Sequence, residues 1–157
     1  MVIETDKSID TIIASRKLFL KLIDGLFIDA LNKIPEGFNN NIIWNFGHVI
    51  VSQQILCYKL AGLPLKIDDA YVFKYSKGTK PETFISDDEV AFLKQQSLQL
   101  IDELVVDLEK DVFNNFSSYT TSFNVELNNI SDAVKFITMH EGLHLGYAMA
   151  LKRMTNK

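Results

Sequence analysis

Apolar residues recur at intervals of three and four through four long stretches of this 157-residue chain, a period that fits α-helices and excludes a fold built on strands. The first stretch runs from about Asp6 to Ile34, with Ile9, Ile12, Phe19, Ile23, Leu26 and Ala30 on one stripe. Pro35-Glu36-Gly37 stops it, and Asn39-Asn40-Asn41 offers side chains to cap the next helix. That helix spans about Ile43 to Ala61 and ends at Gly62, with Pro64 just beyond. Ser86-Asp87-Asp88-Glu89 reads as a capping box, in which the Ser86 hydroxyl takes the Glu89 amide and the Glu89 side chain reaches back. The third helix follows through Val90, Leu93, Leu100, Leu104 and Leu108. The fourth starts at Ser131-Asp132 and runs to about Met154, with Lys152 and Arg153 at its negative end. Four amphipathic helices of similar length predict an all-α fold, an antiparallel four-helix bundle forming one domain over residues 1–157.

Two connections are long. Residues 62–85 carry Tyr71, Val72, Phe73 and Tyr75, and residues 111–130 carry Phe113, Phe116, Tyr119, Phe123 and Val125. Loops of about twenty residues in a compact domain are often functional. The alternation from Tyr119 to Leu127 is compatible with a short extended segment, too isolated for a sheet.

Composition narrows the class of function. A formal net charge of −4 without a basic cluster larger than Lys152-Arg153 argues against nucleic acid and anionic membrane as partners. No apolar run approaches the roughly 18 residues of a membrane span. Cys57 is the sole cysteine and has no internal disulfide partner, and the segment MVIETDKSID lacks a secretory pattern, so a reduced cytoplasmic setting is expected.

The chain has three histidines. His140 and His144 are four residues apart on the fourth helix, which places their imidazoles about 40° apart on one face. Ala133, Ile137, Ala148 and Leu151 lie near that face and turn it inward. His48 sits on the second helix near Trp44, Val51 and Ile55, also facing in. Clustered imidazoles in a dry interior are desolvated at a cost when charged, and a divalent metal ion removes that problem. The expectation is therefore a single metal site of His48, His140 and His144, against the alternative of unrelated core or surface histidines. Imidazole ligands suit zinc or nickel, among other ions.

His140-Glu141-Gly142-Leu143-His144 also matches the H-E-x-x-H pattern of zinc proteases. Such a protease needs a third ligand downstream, and the residues after His144, LGYAMALKRMTNK, contain no His, Asp or Glu. Glu141 falls on the flank of the site, where it is a solvated or salt-bridged residue, or a hydrogen-bond partner of a histidine. Asn45 is a candidate to hold a ligand or a histidine, with helix capping as its alternative. Arg16, on the stripe between Ile12 and Phe19, is a candidate for an anionic group; the commoner case is an arginine whose stem packs and whose head reaches water. Tyr75, Tyr119 and Tyr147 are pocket-wall candidates or plain core. Cys57 does not share a face with His48 and reads as core.

Ile43-Trp44-Asn45-Phe46-Gly47-His48, the Tyr-Thr loop with Phe123, and His140-Glu141-x-x-His144-x-Gly146 together resemble the DinB-like (YfiT-like) superfamily across essentially the whole chain. The resemblance implies an up-down-down-up bundle with metal held by His48, His140 and His144, and frequent homodimers. Its best understood members are metal-dependent transferases that use a low-molecular-weight thiol as cosubstrate, which makes transfer of a metal-activated thiol to a small electrophile, or metal-assisted hydrolysis of a small-molecule substrate, the expected activity. A non-catalytic metal- or ligand-binding protein is the alternative. Many relatives carry Gln after the last Gly of the motif, where this chain has Tyr147.

Overall fold

The computed structural model describes residues 6–155, which fold into six α-helices and one very small sheet. The helices are α1 (Asp6–Asp24), α2 (Ile28–Asn32), α3 (Ile42–Gln54), α4 (Asp69–Tyr75), α5 (Asp87–Glu109) and α6 (Ile130–Thr155). A π-helical turn, Ile55–Lys59, continues α3. Strands β1 (Tyr119–Thr120) and β2 (Glu126–Leu127) pair antiparallel. Among the described residues no helix is long and apolar enough to cross a membrane.

The helix ends follow local chemistry. Asn41 caps α3, its side chain accepting from the Trp44 amide at 2.8 Å. Gly62 takes a positive φ of 69° just past the π turn, a conformation that glycine adopts at no steric cost. Ser86 caps α5 by accepting from the Glu89 amide. The reciprocal half of that capping box does not form. Glu89 instead accepts from Lys74 Nζ and from the Tyr75 hydroxyl at 2.6 Å, because charge-assisted bonds to α4 outcompete one more capping contact.

The first stretch does not continue as one helix to Ile34. α1 ends at Asp24, and the chain turns at Gly25-Leu26 before the short α2. Glycine is a poor helix former, and Asn32 gives the turn its reward. The Asn32 amide donates to the Ile85 carbonyl and accepts from the Ile85 amide, tying α2 to the segment before α5. Leu31 is buried there, while Phe27 at the bend is 90% exposed.

Both long connections are structured. The first contains α4. The second contains the β1–β2 hairpin, so the expectation of an extended segment without a sheet is corrected. Asn124 turns it with φ 60°, and Leu127 anchors it in a core cluster with Phe113, Phe136 and Ile137. That burial supplies what an isolated hairpin lacks.

α6 packs on α1 and α3, and α5 packs on the same two helices. Every residue of α3 is buried, which makes it the central element. The long helices are joined by one polar network. Arg16 on α1 donates from Nε to both oxygens of Glu141 on α6 at 2.8 Å. Its Nη1 donates to the Ser97 carbonyl on α5 at 2.7 Å, and its Nη2 to the Val49 carbonyl on α3 at 3.2 Å. Gln53 on α3 closes the network by donating to the Leu100 carbonyl at 3.1 Å.

Candidate metal centre

His48, His140 and His144 come together between α3 and α6. Their ring centroids are 5.1 Å (His48–His140), 4.6 Å (His48–His144) and 4.5 Å (His140–His144) apart. One nitrogen from each lies within 4.8 Å of the others. His48 and His140 are buried, and His144 is half-buried.

The motif Trp44-Asn45-Phe46-Gly47-His48 has a physical reading, position by position. The Trp44 indole stacks on the His48 ring at 4.7 Å with an 11° interplanar angle. Asn45 spends both amide hydrogens on the Asn40 side chain (3.0 Å) and the Asn41 carbonyl (2.8 Å). Its oxygen is therefore fixed as an acceptor, 2.8 Å from His144 Nδ1. Phe46 turns away into the core against Phe19. Gly47 admits the Tyr75 ring so closely that an added Cβ would sit 2.5–2.6 Å from its carbons. That close approach sets the Tyr75 carbonyl 2.7 Å from His48 Nδ1.

These contacts fix two tautomers. A carbonyl only accepts, so His48 and His144 each carry hydrogen on Nδ1 and keep Nε2 as a free lone pair. The Ser52 hydroxyl lies 3.4 Å from His48 Nε2. His140 Nδ1 is buried without any hydrogen-bond partner, in a structure where few buried polar atoms go unsatisfied. An orphaned nitrogen beside two free Nε2 lone pairs fits a divalent ion. Ligand nitrogens on one zinc ion stand roughly 3.4 Å apart in tetrahedral geometry, within reach of modest ring rotation from the spacing here.

Charge points the same way. Burial holds the His140 pKa down to about 3, with the neighbouring His144, His48 and Arg16 lowering it further. Burial, helped by His48, brings His144 down to about 4. Burial also lowers His48, opposed by its bond to the Tyr75 carbonyl. All three rings are neutral near pH 7, the form that binds metal.

The cluster opens on a cavity of about 540 Å³. Its walls include Trp44, Ile55, Leu56, Tyr119, Phe123 and Phe136. Tyr119 thus lines the pocket. Tyr75 does not reach it with its ring and acts on His48 through its main chain. Tyr147 lies outside, 37% exposed and edge-on to Phe38. Asn45 orients His144 rather than facing the cavity. Glu141 is neither solvated nor bonded to a histidine: it is fully buried and paired with Arg16, in the salt-bridged alternative. Desolvation raises its pKa, and the Arg16 charge opposes that. Arg16 reaches neither water nor the cavity, because its head is engaged by Glu141 and the carbonyls of α3 and α5. Cys57 is fully buried in the core, where desolvation pushes its thiol pKa up. Sequence reasoning did not single out the Tyr75 carbonyl, Ser52, Lys59 or Lys77 of the pocket; a backbone carbonyl leaves no residue-type signal at all.

Fold and site together define a mostly helical protein with a clustered three-histidine centre at the floor of an apolar pocket. Residues 11–148 match the family model of the DinB superfamily, and the chain belongs to that superfamily. No curated protein matches it.

Proposed function

We propose that this protein is a metal-dependent enzyme in which His48, His140 and His144 hold one divalent ion, zinc or nickel, and that it transfers a low-molecular-weight thiol to a small electrophile. The observation that carries the reading is the orphaned His140 Nδ1 beside two histidines whose other nitrogens are already pinned, at the floor of an open cavity. An ion held there supplies Lewis acidity, which acidifies a thiol or a water molecule that reaches it. Among the described residues no carboxylate lines the pocket, and Glu141 is occupied by Arg16. A thiol deprotonated by the ion needs no protein base, so this favours thiol transfer over metal-assisted hydrolysis in the same pocket. The chain's own residues bind and orient. Asn45 and the Tyr75 carbonyl hold two histidines in register, and the aromatic walls exclude water from the reacting groups.

The same absence of an acid or base beside the cluster favours a second reading, a non-catalytic metal- or ligand-binding protein. Elemental analysis of protein purified without tag or chelator is expected to give about one ion per chain. A screen of thiol and electrophile pairs then separates the readings: metal- and thiol-dependent loss of an electrophile supports the enzyme, and metal-linked stabilisation alone supports the binder. A wild-type chain that takes up no added metal overturns both.

We read the helix packing as an antiparallel up-down-down-up four-helix bundle, a single domain working in the cytoplasm on a small-molecule substrate, without nucleic acid or membrane. A homodimer is supported by α6, which exposes Met139, Leu143 and Ala150 along a seam that includes Gly142 and Gly146, where an added Cβ would meet nothing within 4 Å. Sedimentation of the wild type against Leu143→Lys tests this; an unchanged oligomer removes α6 as the interface.

A further inference from the structure

We propose that the molecule filling the histidine pocket is an organic anion, an apolar body ending in a carboxylate, with its negative end held by Lys59 and Lys77. This deepens the reading of the pocket as a substrate site and rests on it. The pocket lining contains two lysines and, among the described residues, neither Asp nor Glu, in a chain with 20 acidic and 16 basic residues. The acidic surface of the molecule thus gives way to a cationic rim where the cavity opens. The two lysines are exposed while His48 and His140 are buried, so the pocket runs from a charged mouth, past aromatic walls, to the histidine floor.

Both lysines are carried on anchored backbone. Lys59 closes the π turn, where the Leu60 amide donates to the Ile55 carbonyl at 3.3 Å. The next residue is fixed from the other side, its carbonyl accepting from the Ser117 amide at 2.6 Å. Lys77 precedes Gly78, whose φ of 88° turns the chain back toward Thr79. Thr79 accepts from the Trp44 indole at 3.0 Å, so the loop bearing Lys77 is fastened to the residue that stacks on His48. Neither lysine is in an ion pair with a described residue, whereas Lys66 and Lys74 are held by carboxylates. Two unpaired ammonium groups over an apolar cavity match the two ends of an amphipathic carboxylate: Coulomb attraction at the rim and area burial against Phe123 and Phe136 within.

The test compares 6-phenylhexanoate with 6-phenylhexan-1-ol, followed by the emission of Trp44, the single tryptophan of the chain and part of the pocket wall. Chelator-treated protein is used, so that a carboxylate resting on an ion cannot imitate the lysines. The wild type is expected to bind the carboxylate about tenfold more tightly than the alcohol, a preference that shrinks in high salt. In the double variant Lys59→Gln/Lys77→Gln the preference disappears and alcohol affinity is unchanged. Equal affinity for the two compounds, binding of neither, or a preference that survives in the double variant overturns the proposal. Metal titration of the same two proteins is the separate readout: failure of the wild type to take up metal sinks the enzymatic reading, whatever the anion result.

Discussion

His140 and Glu141 are neighbours on α6, and they stand in opposite kinds of surroundings. Glu141 points toward α1, where Arg16 and the carbonyls of α3 and α5 form a dry and closed network around one buried ion pair. His140 points toward α3, where its Nδ1 has no partner and a cavity opens beside it. One turn of helix therefore presents a satisfied polar group and an unsatisfied one. The first kind holds helices in register; the second kind is where a ligand can still gain bonds. Polar burial alone does not mark a functional centre, and the remaining bonding capacity does.

The largest expected effect breaks the closed side. Arg16→Met leaves the Glu141 charge buried without a partner, and urea denaturation should show a loss of about 3–5 kcal/mol. Adding Glu141→Leu should recover most of it; a double variant as unstable as the single would mean that the network's value lies in its shape rather than its charge balance. On the open side, metal at about a hundred times its dissociation constant should stabilise the wild type by about 2.7 kcal/mol. His140→Ala and His144→Ala should show no such gain, and a gain in either would remove that histidine from the site.

Smaller changes sharpen the contrast by loosening the supports of the open side. Gly47→Ala forces the Tyr75 ring off the helix and should cost about 1–3 kcal/mol in stability. It should also weaken metal affinity, since the Tyr75 carbonyl leaves His48 Nδ1. Asn45→Ala should reduce metal affinity by about 10–100-fold, while Asn45→Asp, which keeps an acceptor, should retain more of it. Calorimetric titration of wild type and variants reads both, and unaltered affinity in Asn45→Ala would show that His144 needs no orienting partner.

The smallest effect is a pH slope. His48, His140 and His144 have lower pKa values in the folded protein than in the unfolded chain, those of His140 and His144 falling to about 3 and about 4. As pH falls below about 6.5 the unfolded chain takes up protons that the folded state refuses, so stability of the metal-free protein drops with acid. Each such proton contributes about 1.4 kcal/mol per pH unit. Urea midpoints between pH 7 and 5.5 should decline in the wild type and decline less in His144→Asn. A flat wild-type profile would mean that the rings charge freely and the cluster is wetter than its burial implies.

How much of this could be read in the sequence depended on the range of each interaction. Asn41, Gly62 and Ser86 marked helix ends because a cap acts within three or four residues. The histidine trio was legible because the i,i+4 spacing of His140 and His144 fixes a shared face, and His48 lies on an apolar stripe of its own. Gly25 gave only a weak warning of a break, since the gain that decides it comes from Ile85, far along the chain. Arg16 and Glu141 each looked like a group that reaches solvent; their pairing spans 125 residues and has no local signature. The hairpin was missed for a like reason, its strands being only two residues each and held by the burial of Leu127.

The π turn that follows α3 has a consequence for how such a pocket can change over time. A π turn is a helix carrying more backbone per revolution than the α-helix, and removing one residue from it would return the segment to α geometry and rotate all that follows by about 100°. His48 lies before the turn and Lys59 at its end. Insertion or deletion there would re-aim the rim without moving the histidine floor. The chain thus has a place where ligand preference can drift by a change of length, while the centre that does the chemistry stays in register.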